Sequence, residues 1–269
     1  MKITHDFHLH TNISLCAKEE ATLDLYLAHA KERDLKKIAI TDHLWDHAID
    51  GYQGRGGNFY EVQNFEHVAK LRDRITEENK TSDIKILFGA ETEYSYQYRR
   101  PAISPAVAEQ LDVLLVPNSH THLAMPKDFY EPHEKHIRFM IDAFMDIVNS
   151  DVAKYVTAIP HPFMAVCCPY RNRILLDEMT DDQFKYCFDA AANQGIALEI
   201  NPNYIRNKTL AEAYADPVIR MLRIGKECGC KFTVGTDAHS KPDLENYHLA
   251  YLLTSLLELK EDDFHPLTR

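Results

Sequence analysis

Residues 6–11, Asp6-Phe7-His8-Leu9-His10-Thr11, place two histidines at the end of a short apolar run. Successive side chains of a β-strand alternate between its faces, so histidines two residues apart share one face. We therefore expect Phe7 and Leu9 to pack outward against helices and the two imidazoles to point inward. Imidazole and carboxylate groups bind divalent transition metals, so this segment predicts a metal site at a strand end.

Five further stretches carry a histidine or an acidic residue, most of them after an apolar run. They are Thr41-Asp42-His43, Gly89-Ala90-Glu91, Asn118-Ser119-His120, Pro160-His161-Pro162 and Asp237-Ala238-His239. Asp237 and His239 repeat the spacing of His8 and His10 near the other end of the chain, so the same alternation predicts that both point inward. Polar residues at the ends of many strands are how a parallel β/α barrel builds an active site. The six stretches together therefore predict one convergent metal site.

Short runs rich in Val and Ile alternate with longer segments of helical pattern. The predicted strands are Lys2–Leu9, Lys37–Thr41, Ile84–Ala90, Val113–Pro117, Tyr155–Pro160, Ile196–Ile200 and Phe232–Thr236. The predicted helices are Leu23–Arg33, Tyr60–Glu78, Glu134–Asn149, Asp181–Gln194, Pro217–Cys228 and Leu244–Leu259. This alternation is typical of a parallel sheet covered by helices. Because no linker and no Gly-rich phosphate loop interrupts it, we expect one domain, a closed or nearly closed barrel over residues 1–269; an open doubly wound sheet is the second choice.

The 269 residues carry a formal net charge of −11 and include six cysteines. This acidic balance opposes an extended nucleic-acid surface, although bound cations would still admit a small anionic substrate. Residues 1–6 lack the apolar core of a signal peptide, and no apolar run approaches the roughly 20 residues of a membrane span. The cysteines are too irregularly spaced for a disulfide framework. We therefore expect a cytoplasmic protein with reduced thiols and no membrane partner.

Glu91 follows a strongly apolar predicted strand. A buried carboxylate needs an ion pair or a metal, and a carboxylate can also span two cations. Glu93 would share its face if the strand continued, and it is the alternative for this role. We prefer Glu91 because it comes first after the apolar run.

The remaining candidates differ in how firmly the sequence places them. Pro160 and Pro162 restrict the backbone around His161 and should fix the direction of its ring. His120 and His122 compete for one position, and we favour His120 because it is nearer the strand end. His43 ends another apolar run, and the preceding Asp42 is a candidate to orient it. The four glycines of Gly51–Gly57 predict a mobile loop over the site.

In these motifs the chain resembles the PHP family, named for polymerase and histidinol phosphatase. The resemblance extends from residues 6–11 to Gly235-Thr236-Asp237-Ala238-His239-Ser240. It implies a distorted seven-stranded (β/α)7 TIM-like barrel, of class α/β, with two to three divalent metal ions, zinc, manganese or iron. The implied ligands are His8, His10, Glu91 and Asp237 for one metal, Glu91, His120 and His161 for a second, and His43 with His239 for a third.

The region after the first two histidines departs from the family pattern. Family members usually place an Asp or a His there, whereas this chain has Asn12-Ile13-Ser14-Leu15-Cys16-Ala17. Cys16 is therefore a candidate ligand of the third metal, because thiolate binds zinc well. The alternative is that Cys16 is simply buried.

These features predict a metal-dependent phosphoesterase acting on a small phosphorylated substrate, with histidinol-phosphate phosphatase as the nearest specific activity. Glu91 and Asp237 would hold metals that activate a water molecule, and His43 or His239 would assist the leaving alkoxide. The candidate phosphate-binding residues are Arg171, Arg173 and Arg206, since guanidinium matches phosphate geometry. An amidohydrolase, which also opens with two histidines on its first strand, and a non-catalytic PHP module remain as alternatives.

Overall fold

The computed structural model describes residues 2–165 and 172–269. Its strands are β1 (His5–Leu9), β2 (Lys37–Ile40), β3 (His43–Leu44), β4 (Lys85–Thr92), β5 (Tyr94–Ser95), β6 (Arg100–Pro101), β7 (Val113–Leu115), β8 (Ala158–Ile159), β9 (Ala197–Ile200) and β10 (Phe232–Val234). Its α-helices are α1 (Leu23–Glu32), α2 (Phe59–Val62), α3 (Phe65–Val68), α4 (Arg72–Glu78), α5 (Pro105–Ala108), α6 (Thr121–Ala124), α7 (His133–Val148), α8 (Asn172–Glu178), α9 (Asp181–Gln194), α10 (Leu210–Tyr214), α11 (Pro217–Glu227) and α12 (Leu249–Leu256).

Seven parallel strands form one sheet in the order β1-β2-β4-β7-β8-β9-β10, and the short β3 pairs with β4. The sheet nearly closes, because β1 meets the end of β10 through a bridge between Leu9 and Ala238. Side chains complete this seam. The Asp6 carboxylate accepts hydrogen bonds from the N–H and the hydroxyl of Thr236, at 3.0 and 2.8 Å. The predicted distorted seven-stranded TIM-like barrel is therefore confirmed.

Two sets of apolar side chains pack on opposite faces of the sheet. The larger set joins the strands to the surrounding helices. The smaller set takes its buried members from strands alone: Phe7, Ala39, Leu87, Val113, Leu115, Ala158 and Ala197. It fills the barrel interior, as side chains do in TIM barrels. The expectation that Phe7 packs outward is wrong: the pairing of β1 with β2 is irregular between Asp6 and Leu9, so Phe7 joins the interior set while Leu9 packs with the outer one.

The interior positions lead directly to the polar end of the barrel. Along β4, every second residue after Leu87 shares its face, so Gly89 and then Glu91 follow it. Along β9, Glu199 follows Ala197 in the same way. The strand pattern that fills the barrel with apolar side chains therefore also aims both carboxylates at its mouth.

The prediction of one continuous helix over Tyr60–Glu78 is wrong. The segment instead forms α2, α3, a 3-10 turn over Ala69–Leu71, and α4. It breaks at Gln63, whose buried side chain donates to the His43 carbonyl at 3.0 Å and whose own carbonyl accepts from the N–H of Trp45 at 2.8 Å. Asn64 then caps α3 by accepting a hydrogen bond from the N–H of His67. These bonds hold α2 beside β3 at the mouth of the barrel.

The predicted last helix is also shorter than expected. Residues Lys241–His248 form a 3-10 helix, and only Leu249–Leu256 are α-helical. By contrast, α9 begins and ends as predicted, with a capping box at Thr180 and a left-handed Gly195 after its last turn. Within the described ranges, no helix combines the length and apolarity that crossing a bilayer requires.

Candidate metal centre

The predicted ligands converge at the carboxyl ends of the strands. Among the described residues, three groups bring their ligand atoms within 4.8 Å of one another. The groups are His8, His10, Glu91 and Asp237; Glu91, His120 and His161; and His10, His43 and His239. Every predicted metal ligand except Cys16 belongs to at least one group. Cys16 is exposed and lines the cavity above them.

Glu91 lies at the centre, and its two carboxylate oxygens face different histidines. Oε1 lies 3.2 Å from Nε2 of His161 and 3.7 Å from Nε2 of His120. Oε2 lies 3.2 Å from Nδ1 of His43 and 3.5 Å from Nε2 of both His8 and His10. The two oxygens of Glu91 thus face different sets of histidines, so the carboxylate lies between the two groups that share it.

Three of these histidines are oriented through Nδ1 by a second residue. Nδ1 of His8 lies 2.5 Å from Oε2 of Glu199, and Nδ1 of His120 lies 3.0 Å from both oxygens of Glu93. Ser119 approaches Nδ1 of His161 at 2.6 Å in the same way. With Nδ1 engaged, the Nε2 atom of each ring faces Glu91. Histidines that bind metals show this pattern, in which the partner of the other nitrogen fixes the tautomer.

Glu199 was not predicted to be part of the site, and Glu93 was considered only as a bridging carboxylate. The structure places Glu93 behind His120, where it also accepts a hydrogen bond from the hydroxyl of Tyr60. The available signal for Glu199 was an acidic residue inside the apolar run Ile196–Ile200. Asp42, predicted to orient His43, instead binds Thr11 and Ser14, and the Ser14 hydroxyl accepts the N–H of His43 at 3.2 Å.

Two ligand positions have unusual backbone conformations. His161 has φ 31° and Asp237 has φ 55°, in the left-handed region that non-glycine residues rarely adopt. The two prolines therefore do not hold His161 alone; its N–H also donates to Oε1 of Glu199 at 3.3 Å. Asp237 and His239 both reach the ligand groups as predicted, but not through regular strand alternation, because β10 ends at Val234. Strain of this kind, of order 1–3 kcal/mol per residue, is typical of functional sites.

The electrostatics of the centre favour a cation. Burial opposes ionisation of Glu91, but His120 and His8 outweigh it and hold its pKa well below 4.5. Burial alone would lower the pKa of His8, yet Glu199, Asp237 and Glu91 raise it well above 6.5. The same balance, with Glu93 as the main attraction, raises the pKa of His120 to about 9. Protons are thus held where a divalent cation would replace them.

The donor set also fits metal ions on geometric grounds. Three buried atoms, Nδ1 of His10, Nδ1 of His43 and Oε2 of Glu91, have no hydrogen-bond partner among the described residues. Buried polar atoms are almost always paired, so three unpaired ones in a single cluster require an explanation. Burial lowers the pKa of His43 to about 4, which keeps its imidazole neutral and able to bind a metal. Imidazole and carboxylate ligands of this kind suit zinc, manganese and iron.

A cavity of about 390 Å³ opens above the cluster. Its lining includes the polar residues His43, His120, Asp237 and His239 and the apolar residues Phe59 and Leu123. Of the two competing histidines, His120 lies in the cluster and His122 lies at the exposed margin of the cavity. A site of this size accommodates a small molecule.

Of the three predicted arginines, the two that the structure describes do not line the cavity. Arg171 lies outside the described residues. Arg173 donates to the Tyr204 carbonyl at 2.7 Å and lies 3.4 Å from Oδ2 of the buried Asp216. Arg206 is exposed. Neither Arg173 nor Arg206 is among the cavity-lining residues, so any contact with substrate would require a change in their positions.

The sequence matches the PHP domain over residues 6–203, and the chain therefore belongs to the PHP domain family. Its fold is similar to a histidinol phosphate phosphatase of Lactococcus lactis subsp. lactis Il1403, crystallised with zinc, L-histidinol and phosphate. That chain is 18% identical with a TM-score of 0.65, and the match covers 93% of this chain and 94% of the other.

A second similar structure is a proposed histidinol phosphatase of Listeria monocytogenes, with 12% identity and a TM-score of 0.63. That match covers 89% of this chain and 96% of the other. At such identities these two likenesses show the shared fold. Among curated proteins, no sequence matches this chain.

Proposed function

We propose that this chain is a metal-dependent phosphoesterase that hydrolyses a phosphate monoester. The observation that carries the proposal is the position of Glu91, whose oxygens face two separate sets of histidines. In two-metal hydrolysis the cations lie close together, and a carboxylate between two ligand groups would hold them there. Family membership and the zinc and phosphate of the Lactococcus lactis structure support the proposal.

Two cations would be held by the groups that share Glu91, and the group of His10, His43 and His239 is a candidate for a third. When bound, the cations would lower the pKa of a water molecule and neutralise charge on the phosphoryl group. Cys16 lines the cavity outside these groups. It would be a ligand of the third metal only after a movement of its side chain toward His10, His43 and His239.

The residues of the chain have separate tasks in this reaction. The ionised carboxylate of Glu91 belongs to both ligand groups and would connect them. Asp237 adds a second negative charge beside His8 and His10. His239 donates Nδ1–H to the Asp237 carbonyl at 2.9 Å, which leaves its Nε2 atom available. His43 and His239 both line the cavity. His43, whose low pKa keeps it neutral, would bind a metal, and His239 is the residue we propose to pass a proton to the departing alkoxide through Nε2.

The small cavity favours a small phosphorylated substrate, and we propose histidinol phosphate as the first to assay. The argument for this compound is the L-histidinol and phosphate in the Lactococcus lactis structure. We further propose that residues 1–269 form a single domain, because the strands contributing the ligands run from β1 to the end of β10.

The first experiment is a measurement of metal content, followed by phosphate release from a panel of monoesters with Mn²⁺, Zn²⁺ or Fe²⁺. Glu91→Gln and His161→Ala should each abolish turnover while preserving the circular dichroism spectrum, and the exposed His248→Ala should retain activity. Unaltered turnover in both site variants would refute the proposal. Hydrolysis of an amide or a lactone without phosphate release would instead favour an amidohydrolase activity.

A further inference from the structure

The cavity above the metal centre has two chemically different sides. Part of its lining consists of the candidate ligands His43, His120, Asp237 and His239, here called the floor. Phe59 and Leu123, here called the apolar wall, line the same cavity and belong to no ligand group. Both wall residues are half-buried, so each keeps apolar surface that is open to the cavity. Phe59 also packs edge-on against His43, with ring centroids 5.6 Å apart, so the apolar wall directly adjoins a candidate ligand.

The apolar wall is held in place by the glycine-rich loop. Arg55 donates from Nη1 to the Leu123 carbonyl at 2.8 Å and from Nε to the Gly51 carbonyl at 3.1 Å. Gly56 is pressed against both wall residues, since a Cβ there would lie 3.2 Å from Cβ of Phe59 and 3.5 Å from a methyl of Leu123. Its φ of 54° further favours glycine. The loop thus holds Phe59 and Leu123 beside the metal-binding floor.

No lysine or arginine is found among the described residues that line this cavity. The Arg55 guanidinium is committed to the two carbonyls. A second phosphate or a carboxylate on the substrate would therefore meet no opposite charge at the wall, and it would lose its hydration without compensation. An apolar or aromatic group would instead bury surface against Phe59, and a well-placed ring pair contributes about 0.5–1.5 kcal/mol beyond that burial.

We propose that Phe59 and Leu123 bind the leaving group of the substrate and select phosphate monoesters whose alcohol carries a flat, apolar group. This inference rests on the proposed function, because it assumes that the phosphoryl group lies on the metal-binding floor. It adds the residues that determine which monoester is accepted.

The test measures binding, so that it does not depend on turnover. Calorimetry on protein loaded with Mn²⁺ compares inorganic phosphate, methylphosphonate and phenylphosphonate, which differ in what they place against the wall. We expect phenylphosphonate to bind about tenfold more tightly than methylphosphonate, in line with one buried ring. Phe59→Ala and Leu123→Ala should each reduce that ratio several-fold and leave the affinity for inorganic phosphate unchanged.

Val62→Ala is the matched control, because Val62 lies on the same helix as Phe59 but is exposed and does not line the cavity. It should leave the ratio as in the wild type. Thermal unfolding verifies that each variant is folded. The two wall substitutions lie on separate helices, so if one variant fails to fold, the other still tests the inference. Equal affinity for the two phosphonates, or an equal loss for all three ligands in both wall variants, would overturn the inference and leave the proposed function standing. Absence of inorganic phosphate binding to the loaded wild type would instead refute the proposed function, and this inference with it.

Discussion

Nδ1 of His8 lies 2.5 Å from Oε2 of Glu199, and both side chains are completely buried. The other oxygen of Glu199 accepts a hydrogen bond from the N–H of His161. One carboxylate on β9 therefore positions a candidate ligand at the end of β1 and another just after β8. Because His8 and His161 belong to different groups around Glu91, Glu199 couples the two groups from behind.

Loss of the Glu199 carboxylate should weaken metal binding without removing a ligand. We expect Glu199→Ala to lower metal affinity about 10- to 100-fold, the range typical of residues that orient metal-binding histidines. Glu199→Gln, whose amide oxygen can still accept from His8, should have a smaller effect. Competition with a chromophoric chelator gives the affinities, and the exposed Glu227→Gln on α11 is the control. Wild-type affinity in Glu199→Ala would show that His8 needs no such partner.

Gly235 leaves the space that the His8–Glu199 pair occupies. A Cβ at this position would lie 2.5 Å from Cβ of His8 and 2.6 Å from Oε2 of Glu199. Gly235→Ala should therefore displace the pair and lower metal affinity by at least tenfold. Gly195→Ala provides the contrast: its φ of 73° costs about 1–2 kcal/mol of stability, but it meets no atom within 4 Å and should leave metal affinity unchanged. Urea unfolding and metal titration of both variants separate the two effects.

Glu91 and Glu93 should differ in how many metal ions their removal affects. Glu91→Gln should reduce binding at both groups that share it, so the measured metal stoichiometry should fall by more than one ion. Glu93→Gln removes only the support of His120, with a smaller effect on affinity. Metal analysis after dialysis against a fixed free metal concentration makes the comparison. Equal losses in the two variants would contradict the assignment of Glu91 as the bridge.

Stability should decrease on acidification partly through His29, which lies on α1 away from the metal centre. Burial, with a smaller contribution from Arg33, lowers its pKa from 6.5 to about 4. Since the folded pKa lies below the unfolded one, the stabilisation is complete above pH 6.5 and declines as the pH falls toward 4. Between pH 7.5 and 5, His29→Gln should reduce the loss in free energy of unfolding by roughly 1–2 kcal/mol, where the upper value follows from the full pKa difference and the lower value allows for solvent screening of the ring. Urea unfolding of metal-free wild type and variant measures this, and an identical pH dependence would contradict it.

The barrel and the strand-end residues could be predicted from the sequence because two independent constraints coincide. Metal chemistry restricts ligands to few residue types, and parallel strands bring their carboxyl ends to one edge. His8 and Asp237 lie at opposite ends of the chain, yet both follow apolar runs, so their meeting needed only the closure of the sheet. The orientation of the Glu91 oxygens toward particular histidines depends on side-chain packing. The spacing of residues in the sequence carries no information about it.

Features held by distant partners were not predictable in this way. Glu199 lies within an apolar run rather than after it, and its partner His8 is 191 residues away. The helix predicted over Tyr60–Glu78 is interrupted because Gln63 bonds to β3, and nothing in the local pattern of residues 60–78 reports those bonds. Arg173 was chosen for its chemistry and for its place after the predicted strand that precedes His161, whereas the structure shows it bonded to Tyr204 and Asp216.

The seam between β1 and β10 has a consequence for the motions of the protein. Backbone hydrogen bonds cross it from His10 to Ala238 and from Asp237 to His8, beside the residues of one candidate metal group. An ion bound there would link the two outermost strands. Separation of β1 from β10 and release of the ion would therefore be coupled. Amide deuterium uptake at His10 and Asp237 would then report whether the metal site is occupied. It would be rapid in the presence of a chelator and slow when the ion is bound.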